Sequence, residues 1–252
     1  MRFEGKQVLL TGGGGGLGAL IHEHLTLEGA RVVVLDRAPP PDRVDMYLQH
    51  DLSTPAGIDD AVADVAALPW DIVINLAGIQ HFGPLQRQTP QHVVATYMVN
   101  LVAPVRIAQA VLPGMRARGS GQIVNVGSIF GSINFAHFAT YSSAKAGLRG
   151  FSQALRRELV GSGLDVTYIA PRAVRTALNS PKVMEFAKLT QMNMDPPEVI
   201  AAKIVQAIHA RRRDVYFGFP ESLFVRLNAV FPGLVDRALA ANDRKAALLF
   251  VH

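Results

Sequence analysis

The first thirty residues leave few folds open to this chain. Val8-Leu9-Leu10 is a short apolar run with the composition of a strand. It leads into Thr11-Gly12-Gly13-Gly14-Gly15-Gly16-Leu17-Gly18, then into Ala19-Leu20-Ile21 and a helical stretch ending near Glu28-Gly29. Strand, glycine-rich turn and helix, in that order, aim backbone N–H groups and the positive end of a helix dipole at one point, where a pyrophosphate is stabilised. Glycine suits the turn because a Cβ would hold the backbone away from the phosphates. A glycine run can also be a plain flexible loop, but this one is clamped between an apolar strand and an apolar helix.

A second expected strand, Arg31-Val32-Val33-Val34-Leu35, ends at Asp36. A dinucleotide site wants an acidic residue about twenty positions beyond the glycines, to accept hydrogen bonds from the adenosine ribose. A carboxylate there also repels a 2′-phosphate, so NAD(H) is favoured over NADP(H). Arg37 is the contrary sign, since an arginine at that turn could pair with the phosphate; Gly15 offers it no basic help.

The middle of the chain holds a second group of informative residues: Asn100, Ser128, Tyr141 and Lys145. Tyr141 and Lys145 lie four apart and share one face of a helix. A free tyrosine has a pKa of about 10 and is a poor proton donor or acceptor near neutrality. A fixed positive charge beside it favours the phenolate and brings it towards the range of general acid–base work. Ser128 lies thirteen positions before Tyr141, just after the run Ile123-Val124-Asn125-Val126. That is the carboxyl end of an expected strand, where open α/β sheets place their ligands. The bland readings are a solvated Lys145, a half-buried Tyr141, a Ser128 that caps its turn and an Asn100 that bonds helix backbone.

With these residues in hand, the chain resembles the short-chain dehydrogenase/reductase family from about Lys6 to Tyr216. The family's Thr-Gly-x-x-x-Gly-x-Gly turn is met by Thr11, Gly12, Gly16 and Gly18, with Leu17 inside it. Its Asn-Asn-Ala-Gly strand ending appears as Asn75-Leu76-Ala77-Gly78, and its asparagine–apolar–proline segment as Asn100-Leu101-Val102-Ala103-Pro104. Asp51-Leu52, after Met46-Tyr47-Leu48, matches the acidic position at the adenine. The resemblance implies a Rossmann-type doubly wound parallel sheet flanked by helices, in a single domain. It implies that Tyr141 exchanges a proton with the reacting oxygen and that Lys145 lowers the Tyr141 pKa and holds the nicotinamide ribose. Ser128 would hold the reacting oxygen, and Asn100 a water that relays protons from Lys145. After the strand Asp165–Ile169, Pro171, Val174 and Thr176 match the nicotinamide segment, but Arg172 stands where the family has glycine. Arg172 is expected either to recognise an anionic group or to point to solvent. The family usually pairs through two long helices, here around 100–118 and 141–160, so a homodimer or homotetramer is expected.

Bulk properties agree with one catalytic domain over 1–220, in which the resemblance implies a lid at about 177–197, and with an amphipathic helical tail over 221–252. The chain has 252 residues and no cysteine, which excludes disulfides and thiolate chemistry. No linker divides it, although Ala38-Pro39-Pro40-Pro41 marks a stiff loop. The net charge of +5 raises nucleic-acid binding, but Arg211-Arg212-Arg213 lacks interleaved aromatics and reads as a solvated turn. No signal-peptide core or run of 18 or more apolar residues stands out, so the cytoplasm is expected. Asp195-Pro196-Pro197-Glu198 reads as a helix start with Asp195 as its N-cap. Before it, Val183, Met184, Phe186, Leu189, Met192 and Met194 suit an apolar ligand or simply pack the lid.

In the tail, Leu223, Phe224, Leu227, Val230, Phe231, Leu234 and Leu248 recur at near-helical spacing among Arg226, Arg237, Arg244 and Lys245. Such a tail can lie on a membrane surface, close the substrate pocket or make a subunit contact. The expected activity is interconversion of a lipophilic secondary alcohol and its ketone. The alternatives are a 3-oxoacyl-thioester reductase and a non-catalytic NAD(H) sensor.

Overall fold

A computed structural model describes residues 1–38 and 46–250. The proline run of the expected stiff loop, Pro39 to Pro41, lies outside them. In chain order the elements are β1 (Gln7–Thr11), α1 (Gly16–Leu27), β2 (Arg31–Asp36), β3 (Met46–Gln49), α2 (Pro55–Ala66) and β4 (Ile72–Asn75). Then come α3 (Pro90–Tyr97), α4 (Ala103–Arg118), β5 (Gly121–Val126), α5 (Ala139–Glu158), β6 (Leu164–Ala170), α6 (Pro181–Leu189), α7 (Pro197–His209), β7 (Asp214–Tyr216), α8 (Glu221–Val230) and α9 (Pro232–Leu248).

The strands form one sheet of order β3-β2-β1-β4-β5-β6-β7, and every pairing is parallel. Its inner strands are nearly continuous apolar runs, as strands covered on both faces must be. Successive side chains take opposite faces. Leu9, Val33, Val73, Ile123 and Val166 therefore pack beneath α2, α4 and α5. Val8, Leu10, Val32, Val34, Ile74 and Val124 pack beneath α1 and α7. Burying each of these side chains stabilises the fold by roughly 1.5–3 kcal/mol.

The expected doubly wound sheet and the helical extension at its end are both present. The strand order reverses between β1 and β4, and such a reversal opens a crevice at the carboxyl ends of the strands. Pro90–Arg118 is one 29-residue helical run containing an 18-residue window of mean hydropathy 1.3, long and apolar enough to cross a membrane. Its stripe of Ala103, Ile107, Ala108, Val111 and Met115 is buried in the core beneath the sheet, which accounts for that hydropathy.

One local expectation needs correction. Helix α7 begins at Pro197 with Pro196 in the capping position, so Asp195 is not its N-cap. Its carboxylate accepts two charge-assisted hydrogen bonds from Arg172, a stronger partner than a helix amide. The three-arginine cluster is the expected exposed turn between α7 and β7, in which Arg211 pairs with Asp165 at 2.5 Å and the Arg213 carbonyl accepts from Arg156.

Candidate active site

The crevice at the switch point is a cleft of about 890 Å³. One end is backbone. At Gly12, with φ +73°, a Cβ would sit 2.7 Å from the Ala77 Cα, and at Gly18 it would collide with the Gly12 carbonyl. The turn and the β4 ending are thus packed backbone to backbone, which only glycine permits. Thr11 locks this approach: its Oγ accepts from the Leu76 and Ala77 amides, both at 3.1 Å. Gly12, Gly16, Leu17, Gly18, Leu52, Ala77 and Gly78 line the cleft, Asn75 lies buried just beneath it, and Thr176 faces Gly16 across it.

Asp36 closes β2, and its carboxylate accepts from Gly14 N–H at 2.9 Å and Arg37 N–H at 2.7 Å. The acidic group is therefore part of the turn's own scaffold as well as of the cleft wall. Asp51 accepts from Ser53 N–H at 2.9 Å, and the Ser53 hydrogen bonds hold its carboxyl below the usual range.

Asn100, Ser128, Tyr141 and Lys145 converge on the opposite part of the crevice. Asn100 sits in a single π-helical turn, Met98–Val102, between α3 and α4. Such turns turn side chains out of helical register and recur at functional sites. Its Nδ2 donates to the Thr96 and Ile79 carbonyls, each at 2.8 Å, so it does bond helix backbone as the bland reading holds. Its Oδ1 is nevertheless buried with no protein donor. A Cβ on Gly78 would lie 3.0 Å from that oxygen and 3.7 Å from Lys145 Nζ, so both groups border one small space. Buried acceptors are rarely left without a donor. A ribose hydroxyl or water held there by Lys145 suits the chemistry of this pair.

Ser128 follows β5 by two residues, and its Oγ accepts from Phe130 N–H at 3.1 Å, capping the short turn after the strand. The same hydroxyl lies beside the Tyr141 phenol and eases its ionisation. Lys145 Nζ donates to the Val126 carbonyl at 3.0 Å and lies 5.9 Å from the centre of the Tyr141 ring. The expectation that Lys145 lowers the Tyr141 pKa fails for the free protein. Burial pushes the phenol up to about 12, and only the Ser128 hydrogen bond opposes it. Burial pulls the Lys145 ammonium down to about 8. Sequence spacing gave the proximity of the two groups but not their desolvation, which dominates.

Arg172 takes neither expected role. Its side chain is 19% exposed. Its Nε and Nη2 reach the two Asp195 oxygens at 2.9 and 2.7 Å, and its Nη1 reaches both Glu221 oxygens at 3.3 and 3.2 Å. The positive-φ non-glycine residues among those described are His137, Gln191 and Arg211, so position 172 needs no glycine. Asp195 also pairs with Val174 in a parallel bridge, which joins the end of the lid to the segment carrying Pro171, Val174 and Thr176.

The substrate end of the cleft is apolar, with Phe130, Phe138, Val183, Met192 and Met194 in its wall. Val183 and Phe186 point inward from α6, whereas Met184 and Leu189 are exposed. Sequence reasoning missed His81 and His92, whose rings meet edge to face at 5.3 Å beside the cleft. Burial first, and His92 second, hold His81 below the usual imidazole range. It also missed Tyr168, whose hydroxyl donates to the Ser128 carbonyl at 3.4 Å. No grouping of His, Asp and Glu among the described residues could hold a metal ion.

The sequence model of the short chain dehydrogenase family matches residues 6–185. The chain belongs to that family. The Nostoc sp. ketoacyl reductase HetN is 30% identical, over 92% of this chain and 88% of its own length. The 3-oxoacyl-[acyl-carrier-protein] reductase FabG of Salmonella typhimurium is 32% identical, over 70% of this chain and 76% of its own. A solved short-chain dehydrogenase from Sphingobium yanoikuyae, in complex with NADPH, superposes with a TM-score of 0.76 at 25% identity, covering 92% of this chain and 95% of that one. This short-chain dehydrogenase is therefore an oxidoreductase with a nicotinamide-cofactor site. The residues present suit such a cofactor: Gly12, Gly16 and Gly18 would meet its pyrophosphate, and Lys145 its nicotinamide ribose.

Proposed function

We propose that this short-chain dehydrogenase uses NAD(H) to interconvert a lipophilic secondary alcohol and its ketone. The observation that carries the reading is the placement of the Tyr141 phenol beside Ser128 at the head of an apolar cleft wall. The bound cofactor would supply or accept the hydride. Tyr141 gives its proton to the developing alkoxide in reduction, or takes one from the alcohol in oxidation. Ser128 Oγ donates to the same oxygen and stabilises its charge. Lys145 passes the replacing proton to a water that Asn100 would hold, and so towards solvent. Asp36 supports NAD(H), because a 2′-phosphate beside its carboxylate would be repelled.

The test is calorimetric binding of NADH and NADPH, then turnover of medium- and long-chain ketones and alcohols. NADH binding with turnover that a Tyr141→Phe variant abolishes, while keeping NADH binding, is the expected result. An active Tyr141→Phe variant would refute the proton role. A parent that binds NADH but turns over nothing would favour a sensor.

A second reading, reduction of 3-oxoacyl thioesters, is supported by the likeness to HetN and FabG. It predicts NADPH preference and faster turnover of an acetoacetyl thioester than of any simple ketone. We further propose a cytoplasmic enzyme that pairs through α4 and α5, which size-exclusion chromatography tests. Leu223, Phe224, Val230, Phe231 and Leu234 are all exposed on the tail. Together with Arg226 and Arg237 they support weak contact with anionic membranes, which vesicle flotation tests.

A further inference from the structure

The end of the tail belongs to the same apolar cluster as the reacting phenol. Starting at Tyr141, Phe130 lies edge-on at 6.2 Å, and Phe138 lies edge-on to Phe130 at 4.9 Å. Phe82 stacks on Phe138 at 4.7 Å, and Phe250 meets Phe82 at 5.1 Å. Phe130 and Phe138 are cleft wall, whereas Phe82 and Phe250 stand behind it. Phe250 is nine-tenths buried although it lies two residues beyond α9. Three neighbours seat its ring: Phe82, the His137 imidazole at 5.0 Å, and the Lys182 ammonium of α6 at 5.2 Å. The Gly83 amide donates to the His137 carbonyl at 2.9 Å, which closes the turn on which the ring rests. The preceding turn of α9 adds Ala246, which is 1% exposed.

We infer that Phe250 is a specificity-positioning residue: it backs Phe82, which stacks on the Phe138 wall, and so limits the length of substrate that the cleft accepts. The inference rests on the proposed apolar alcohol or ketone substrate. Aromatic rings in contact have fixed preferred geometries, so the wall stays rigid only while its outer face is filled. Without the Phe250 ring, Phe82 and Phe138 can rotate outward into the vacated volume. Apolar cavities of this kind stay dry and accept apolar guests. The Lys182 contact couples the same ring to the lid helix, so the lid and the wall share one support.

The test compares kcat/KM for 2-decanone and 2-butanone in the parent, Phe250→Ala, Phe250→Leu and Phe250→Tyr, with the exposed Leu234→Ala as control. Phe250→Ala should raise the decanone-to-butanone ratio at least tenfold, the lower end of the range for a methylene-sized change in an apolar pocket, and Phe250→Leu by less, about threefold. Phe250→Tyr and Leu234→Ala should stay within twofold of the parent. A ratio unchanged within twofold in folded Phe250→Ala and Phe250→Leu overturns the inference.

An arm independent of turnover titrates 1-anilinonaphthalene-8-sulfonate into each protein saturated with oxidised cofactor. Phe250→Ala should bind the probe at least fivefold more tightly than the parent. Equal affinity overturns the inference whatever the catalytic result. Tighter probe binding in a protein whose parent turns over no ketone supports it and removes only the proposed activity.

Discussion

Replacing Arg172 by alanine removes the one side chain that ties the cofactor segment, the end of the lid and the start of the tail together. Four hydrogen bonds disappear, two to Asp195 and two to Glu221. The three side chains are 19%, 15% and 24% exposed, so most of each is removed from water. A surface pair is worth about 0–1 kcal/mol, and breaking a fully buried one costs about 3–5 kcal/mol. A bidentate, mostly buried pair falls between these, so Arg172→Ala should cost about 2–3 kcal/mol. For a chain of this size that lowers Tm by roughly 4–12 °C.

Calorimetric melting, with a double-mutant cycle against Asp195→Ala, reads the loss directly; the coupling should reach about 1.5 kcal/mol or more. Cofactor affinity should also fall, because Asp195 N–H donates to the Ala173 carbonyl at 2.8 Å and holds the strip leading to Val174 and Thr176. Arg172→Gly, which restores the family's residue, should lose as much as Arg172→Ala. A Tm within 1 °C of the parent in both variants, with unchanged cofactor binding, would refute the reasoning.

Two further predictions concern charge. Asp36→Ser should shift the ratio of NADPH to NADH affinity at least tenfold towards NADPH by removing the repulsion; an unchanged ratio by calorimetry would mean that Asp36 does not select the cofactor. Lys145 should make stability depend on alkaline pH. Its folded pKa of about 8 is below the unfolded value of 10.5, so the unfolded chain holds more protons between these limits. Stability therefore rises with pH over that window, by about 3 kcal/mol in all at 1.36 kcal/mol per pKa unit. Tyr141, raised from 10.0 to about 12, acts in the opposite sense and removes stability as pH climbs from about 10 towards 12. Urea denaturation of the parent should show the rise between pH 8 and 10. Lys145→Met should lack it, and an identical pH profile in both proteins would count against the buried ammonium.

What could be read from the sequence was whatever is local or repeated. The runs Val8–Leu10 and Val32–Leu35, the glycines between them and the helix after them specify a strand, a turn and a crossover through short-range sterics and burial. Asn100, Ser128, Tyr141 and Lys145 could be found because each sits in a recognisable short context. The contacts that escaped are long-range. Arg172 meets partners 23 and 49 positions away, and Phe250 meets Phe82 across most of the chain. No period or motif encodes such encounters; they arise when the lid and tail fold back over the sheet. Asp195 misled because its surroundings satisfy a helix-cap pattern, while a guanidinium brought in by tertiary structure is the stronger partner.

The same distinction between proximity and burial decides how the proton leaves. In water the phenol and the ammonium have nearly equal pKa values, 10.0 and 10.5. Burial disfavours the charged form of each, and those forms lie on opposite sides of their titrations. The phenol is driven up to about 12 and the ammonium down to about 8, so burial moves the two apart. In the free protein burial therefore favours the protonated phenol of Tyr141 and the neutral amine of Lys145. On the proposed mechanism, a protonated Tyr141 is the form that protonates a developing alkoxide. For oxidation, Tyr141 must lose its proton through a site that resists phenolate, and the Ser128 hydrogen bond is the one contact that eases the loss. Helical spacing places the two side chains together, but the depth of the crevice sets which of them is the acid.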